Sequence, residues 1–241
     1  DGCRCPGSSG DALHAWITQM AQYAKVIAPN QLISAGGDGF LCQGPGGRCL
    51  GGDGNAFTEF AETSEALKRT FQQWMESQGV SFARTVQVAA VDVATYQARI
   101  DTWPQAVTKT LAARDAERTR LIGDWMPMHE TAMAGIDKPL ILMAFGVEAS
   151  DKWAQRNQLF RLVLESTLQS KITTGSVFWK LGSVGFTAGH GDAREIVIPS
   201  AELPPQAETA LRLIRAHATS LSSTPLVTSP PPSPPPSPPP S

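Results

Sequence analysis

The side chains that could carry covalent or metal chemistry are few and mostly stand apart. Four cysteines, Cys3, Cys5, Cys42 and Cys49, fall in the first fifth of the 241 residues. Their C-x-C and C-x6-C spacings are not the C-x-x-C pairs of a zinc site, and the nearest histidine is His14. Cys42 and Cys49 flank a Gly-rich loop, Gln43 to Arg48, and could close as a small disulfide ring. That would suit a secreted protein; four free thiols is the alternative. Among the histidines, His14 and His217 lie on helical stretches and read as surface residues. His129 reads as a packing residue that hydrogen-bonds a helix to a strand. His190 lies in the loop Gly189-His-Gly-Asp192, with no Ser or Cys nucleophile motif as partner. No GxGxxG follows a strand and no GxxxxGK[ST] occurs, so no cofactor is expected. Of the six tryptophans, Trp16, Trp74, Trp125 and Trp153 sit at helical spacing and read as core. Trp103 and Trp179 fall near strand ends, with ligand contact and packing both open and Trp103 leaning to packing.

The elements that must position these groups alternate in type. Residues 11–27 place Leu13, Trp16, Ile17, Met20, Ala24 and Ile27 on one helical face, with Asp11 as candidate cap. Gln31 to Ala35 reads as a short buried strand, and nine glycines between Gly36 and Gly54 make a loop. Residues 57–78 look helical, Val91 to Ala98 reads as a strand, and 104–134 look helical with an interruption near Pro127. Pro139 to Phe145 is a continuous apolar run, the mark of a strand covered on both faces. Residues 151–170 form a further helix with Leu159, Phe160, Leu162, Val163 and Leu168 inward. Gly175 to Leu181 reads as the last strand, and 205–218 as the last helix. Such alternation predicts an α/β fold with a parallel sheet, closed as a doubly wound sheet or a barrel.

Composition narrows the partners. Net charge is −2, from 20 basic and 22 acidic residues with no basic stripe, so nucleic acid has no electrostatic footprint. No run of 18 apolar residues occurs, so no membrane span is expected. The stretch Ser229 to Ser241 contains only Ser and Pro and holds nine of the 19 prolines. Residues 219–241 therefore read as a disordered polyproline II tail, outside a foldable region at 1–218. The chain begins at Asp1 without an initiator methionine and reads as cut from something longer.

Four ordered segments resemble the plant-type endo-β-1,4-mannanases of glycoside hydrolase family 5. Asp1-Gly-Cys-Arg-Cys5, followed by the helix containing Trp16 to Ala21, is similar to the family's Asn-Glu-Pro-Arg-Cys segment. Gln31 to Phe40 is similar to H-L-x-x-x-G-x-E-G-F. Asp92-Val-Ala-Thr95 running to Asp101-Thr-Trp103 is similar to D-F-A-T-V-H-x-Y-x-D-T-W. Lys138 to Gly146 is similar to K-P-x-x-x-x-E-F-G. Trp125 with His129, and Phe178-Trp179, add support. The resemblance implies a partial (β/α)8 TIM barrel: strands five to eight at 31–36, 91–98, 139–145 and 175–181, with their helices.

Retaining glycosidases work with two carboxyl groups about 5–5.5 Å apart, one protonating the leaving oxygen and one attacking the anomeric carbon. The resemblance places the family's acid at Gly2 and its nucleophile at Ala144. Neither residue can transfer a proton or attack carbon. The strand-six His and Tyr fall on Gln97 and Arg99, the strand-five Glu on Asp38, and the motif Asn on Asp1. Glu148, four residues beyond Ala144, is a loop carboxylate too far along to substitute. Arg99 could pair with Asp1 or Asp38 and fill the old site as a salt bridge. Trp179 would be the sugar-stacking platform.

The expected function is thus a noncatalytic, mannanase-like carbohydrate-binding protein, with mannan as partner. The alternatives are a fragment of an active β-mannanase and a structural wall glycoprotein whose working part is the tail. The Ser/Pro tail resembles hydroxyproline-rich wall segments, which implies a secreted, cell-wall-associated protein. Half a barrel would leave open sheet edges, so a partner half barrel or a homo-oligomer is expected.

Overall fold

The computed structural model describes residues 10–41, 75, 80–99, 115–147, 153–183, 196–198 and 205–223. Chain order there is α1 (Asp11–Ile27), α2 (Phe82–Val86), β1 (Ala94–Ala98), α3 (Asp115–Ala132) and β2 (Leu140–Phe145). Then follow α4 (Trp153–Gln169), β3 (Thr173–Phe178), β4 (Leu181–Ser183), β5 (Ile196–Ile198) and α5 (Pro205–Ser223). The strands β1, β2 and β3 form one parallel sheet in that order. The apolar run expected at 139–145 is its central strand, with Leu140, Leu142 and Phe145 fully buried. Alternation of strand and helix makes each connection a crossover, which is what parallel pairing requires.

The helices cover one face of this sheet. In α4, Leu159, Phe160, Val163 and Leu164 are buried against the core, while Leu168, expected inward, is exposed. Burying each such side chain contributes about 1.5–3 kcal/mol, so this stripe outweighs the weak intrinsic preference of a 17-residue helix. Phe160 bridges the sheet, with ring centroids 4.9 Å from Phe145 and 5.9 Å from Phe178. Helix α5 packs on α4 and continues through Ser223, past the expected boundary at 218. His217, expected at the surface, is buried, and that burial lowers its pKa.

Three other expectations need correction. Pro127 does not interrupt α3, which runs unbroken from Asp115 to Ala132. A mid-helix proline costs about 3 kcal/mol. Here Pro127 itself points to solvent, while Trp125, Met126 and His129 bury around it and hold the helix together. The segment Gln31–Ala35 is not a buried strand. It makes one parallel bridge, Ser34 to Val93, and Leu32 is 79 % exposed. The Asp92 carboxylate accepts from the Ile33 N–H at 2.7 Å and also pairs with Lys25. The segment is thereby pinned to the edge of β1. The last strand ends at Phe178, because Trp179 and Lys180 leave the ladder before β4 begins.

Helix α1 forms as the periodicity predicts, but its stripe is not core. Gly10 holds the N-cap position without a side-chain bond; Asp11 is the first helical residue and pairs with Arg84 at 2.8 Å. Only Ala21 is buried, in a small cluster with Val88 and Val91. Trp16 is 58 % exposed, and Met20 and Ile27 are exposed too. With Ile33, Ala35 and Phe82, Trp16 and Met20 line a cleft of about 300 Å³ between α1 and the sheet edge. The helix thus faces a groove rather than a packed layer.

Candidate carbohydrate site at the strand ends

In parallel α/β folds, ligands gather at the carboxyl ends of the strands. Four segments converge there: the loop after Ser34, and the ends of β1, β2 and β3. Register places Gln97 of β1 opposite Ala144 of β2, and Ala98 opposite Phe145. The Trp179 N–H donates to the Phe145 carbonyl at 2.8 Å, which ties the end of β3 to β2. Gly146 is required beside it, because a Cβ there would run into the Trp179 carbonyl oxygen.

Three of the expected site residues meet. Arg99, just beyond β1, has its Nη2 4.0 Å from Asp38 Oδ1, so the expected pairing with Asp38 is found. The Arg99 Cζ also lies 5.7 Å from the Trp179 ring centroid, a cation–π contact that the sequence reading missed. Trp179 remains 44 % exposed. Ala144 is buried at 7 % exposure and presents only a methyl group. The Gln97 side-chain oxygen is buried and has no hydrogen-bond partner among the described residues. Asp1, Gly2, Cys42, Cys49, Trp103, Glu148 and His190 lie outside the described residues. Among the described residues there is no group of His, Cys, Asp and Glu fit to hold a metal. No described helix is long and apolar enough to cross a membrane.

A buried aromatic cluster beneath the site sets its geometry. The Trp125 indole N–H donates to the Gln97 carbonyl at 3.0 Å. One helical turn on, His129 places Nδ1 2.7 Å from the Trp125 carbonyl and Nε2 2.7 Å from the Gly39 carbonyl. Helix α3 thus grips both the β1 end and the loop that carries Asp38. His129 stacks on Tyr96, with centroids 3.9 Å apart and planes at 12°, and Phe82 and Trp125 meet it edge-on. The two carbonyls favour a doubly protonated ring, but complete burial disfavours the charge more. Burial pushes the His129 pKa down to about 4, so the ring is neutral at pH 7 and donates through one nitrogen at a time. Burial likewise pushes the Tyr96 phenol up. The backbone at Gly39 has φ +83°, and a Cβ there would lie 2.5 Å from Tyr96 Cβ. Glycine is the residue that fits. Trp125 was legible in the sequence as core and His129 as a packing or helix-to-strand bonding residue; the bond to the strand is made by Trp125, and His129 reaches the Gly39 loop instead. The stacked Tyr96 was not, because an alternating strand gives no sign of which ring it meets.

A three-stranded parallel sheet with its helices is the arrangement of part of an α/β barrel. The fold is similar to two solved Thermotoga petrophila enzymes. One is an endo-β-1,4-mannanase, 20 % identical, with a TM-score of 0.61 over 91 % of this chain and 43 % of that one. The other is a hyperthermostable endo-1,4-β-D-mannanase from strain RKU-1, 22 % identical, with a TM-score of 0.63 over 89 % and 55 %. In sequence the chain is similar to plant mannan endo-1,4-β-mannosidases of glycoside hydrolase family 5, as its motifs imply. Mannan endo-1,4-beta-mannosidases 7 and 8 of Oryza sativa subsp. japonica are each 27 % identical over 205 residues, 81 % of this chain. Mannan endo-1,4-beta-mannosidase 1 of Arabidopsis thaliana is 25 % identical over 93 % of the chain. The chain spans about half the length of the curated relatives it matches, 47 %, 48 % and 51 % respectively. No protein-family model matches it.

Proposed function

We propose that this chain is a mannanase-like carbohydrate-binding protein that holds mannan-type polysaccharide without hydrolysing it. The observation that carries the reading is the residue at the end of β2. Retaining hydrolysis needs a nucleophilic carboxylate across the scissile bond from an acid. Ala144 stands at the strand position that the motif assigns to that carboxylate, and its methyl group is buried. The aligned acid position is Gly2. Loss of a general acid alone removes about 10²–10⁴ in rate, and loss of the nucleophile removes the covalent route. What persists suits binding: an exposed indole, a cation and two polar side chains at one mouth. The likeness to mannan endo-1,4-β-mannosidases supports mannan as the polymer.

On this reading the sheet is the back half of a (β/α)8 barrel, and the Ser/Pro tail sets a secreted, wall-associated location. The purified full chain should be retained on insoluble mannan and release no reducing ends from galactomannan or glucomannan. Trp179→Ala should abolish retention while leaving the melting transition unchanged. Measurable hydrolysis by the chain alone would overturn the noncatalytic reading.

A further inference from the structure

Resting on that carbohydrate-binding reading, we propose that the cluster at the strand ends prefers an acidic pyranose, one carrying a carboxylate at C6, over a neutral one. The reason is the placement of Arg99. Its guanidinium lies over the one exposed indole among the described strand ends, 5.7 Å from the ring centroid. It also faces Asp38 across 4.0 Å. A neutral sugar that stacks on Trp179 brings hydroxyls alone. It offers the adjacent Arg99 guanidinium no charge to pair with.

An acidic sugar makes the same Arg99 its partner. A carboxylate can take two N–H donors of the planar fork at once, a stronger contact than the partly exposed one to Asp38 at 4.0 Å. Asp38 is half-buried, with its side chain 41 % exposed, and can turn to solvent when a ligand carboxylate takes its place. Among the described residues the floor does not oppose this. Ala144 contributes no negative charge, and the Gln97 amide beside it can donate as well as accept. The position that a nucleophilic carboxylate would fill, and from which it would repel an anionic sugar, is thus apolar here.

The test is a matched pair of β-1,4-linked hexasaccharides, one of mannose and one of mannuronate. They share linkage and ring stereochemistry and differ in a C6 hydroxymethyl or carboxylate. Binding to the full chain is measured by calorimetry at low and at physiological salt. The mannuronate hexamer should bind about tenfold tighter at low salt, with the advantage shrinking as salt rises. Arg99→Gln should erase the preference, so that the two hexamers bind with equal affinity. Arg99→Lys should keep part of it, and Asp38→Asn should tighten the acidic hexamer several-fold. Melting curves check that each variant folds, and Asp38→Asn carries the test if the Arg99 variants do not. Equal affinities in the parent chain, or a preference that survives Arg99→Gln, would overturn the proposal. Binding of the neutral hexamer alone overturns it while leaving the mannan reading standing. Binding of the acidic hexamer alone upholds it and removes the mannan reading. Binding of neither overturns both.

Discussion

Acidification should destabilise this fold through one buried ring. His129 is fully buried, and its pKa falls from 6.5 to about 4 in the folded chain. In the unfolded chain it titrates near the ordinary value. Between the two values the unfolded chain binds a proton that the folded chain refuses. The contribution of neutral His129 is therefore complete above about pH 6.5 and is lost as pH falls towards 4. At 1.36 kcal/mol per unit, the window corresponds to about 3 kcal/mol. That is a large part of the 5–15 kcal/mol of net stability typical of a domain. The assay is urea denaturation at closely spaced pH values from 7.5 to 4, comparing the parent chain with His129→Gln. Glutamine can still donate to one carbonyl but does not titrate. The difference between the two curves isolates His129 from the carboxylates and from His217, whose pKa is also lowered by burial. The parent should lose about 3 kcal/mol more than the variant across the window. Parallel curves, or a His129 ring resonance titrating near pH 6.5, would refute the reasoning.

Three structural predictions accompany it. Gly39→Ala should cost more than about 3 kcal/mol by chemical denaturation, since a left-handed backbone adds to overlap with Tyr96 Cβ and His129 Nε2. Parent-like stability would show that the loop moves freely. Trp125→Phe keeps the ring but strips the donor from the Gln97 carbonyl, and should cost about 1–3 kcal/mol in the same assay. Glu130 Oε1 accepts from Ser170 Oγ and Thr173 Oγ1, each at 2.6 Å, where α4 turns into β3. Glu130→Ala should cost about 2 kcal/mol and speed amide exchange at the start of β3; unchanged exchange would count against that role.

Much of the framework was written in local pattern. The run Pro139 to Phe145 reads as a strand covered on both faces; it is β2 at the sheet centre, but only one face is sealed, since Met143 is exposed and Ile141 half-buried. Periodicity placed α1, α4 and α5 to within a few residues. The motif resemblance was likewise sequence-borne, and it located the strand ends where Asp38, Gln97, Arg99, Ala144 and Trp179 stand. Periodicity was silent on what each apolar stripe meets. Trp16 and Trp125 both sit at helical spacing; one is exposed beside an open groove and the other is sealed under β1. Pro127 reads locally as a helix breaker, yet packing on both sides of it carries the helix through.

The amino-acid sequence did not show α2, β4 or β5. What it determined by itself was the succession of α1, β1, α3, β2, α4, β3 and α5, the parallel pairing of the three strands and the chemistry on offer at their ends. These follow from short-range rules of spacing and side-chain type. What only the tertiary structure decided was which of those groups meet. Arg99 sits over Trp179 as well as facing Asp38, and His129 spans from helix α3 to Gly39, 90 residues away in the chain. Contacts of that range depend on how far each strand extends and where each loop returns. Those are set by the sum of many packing energies and not by any local pattern of residues.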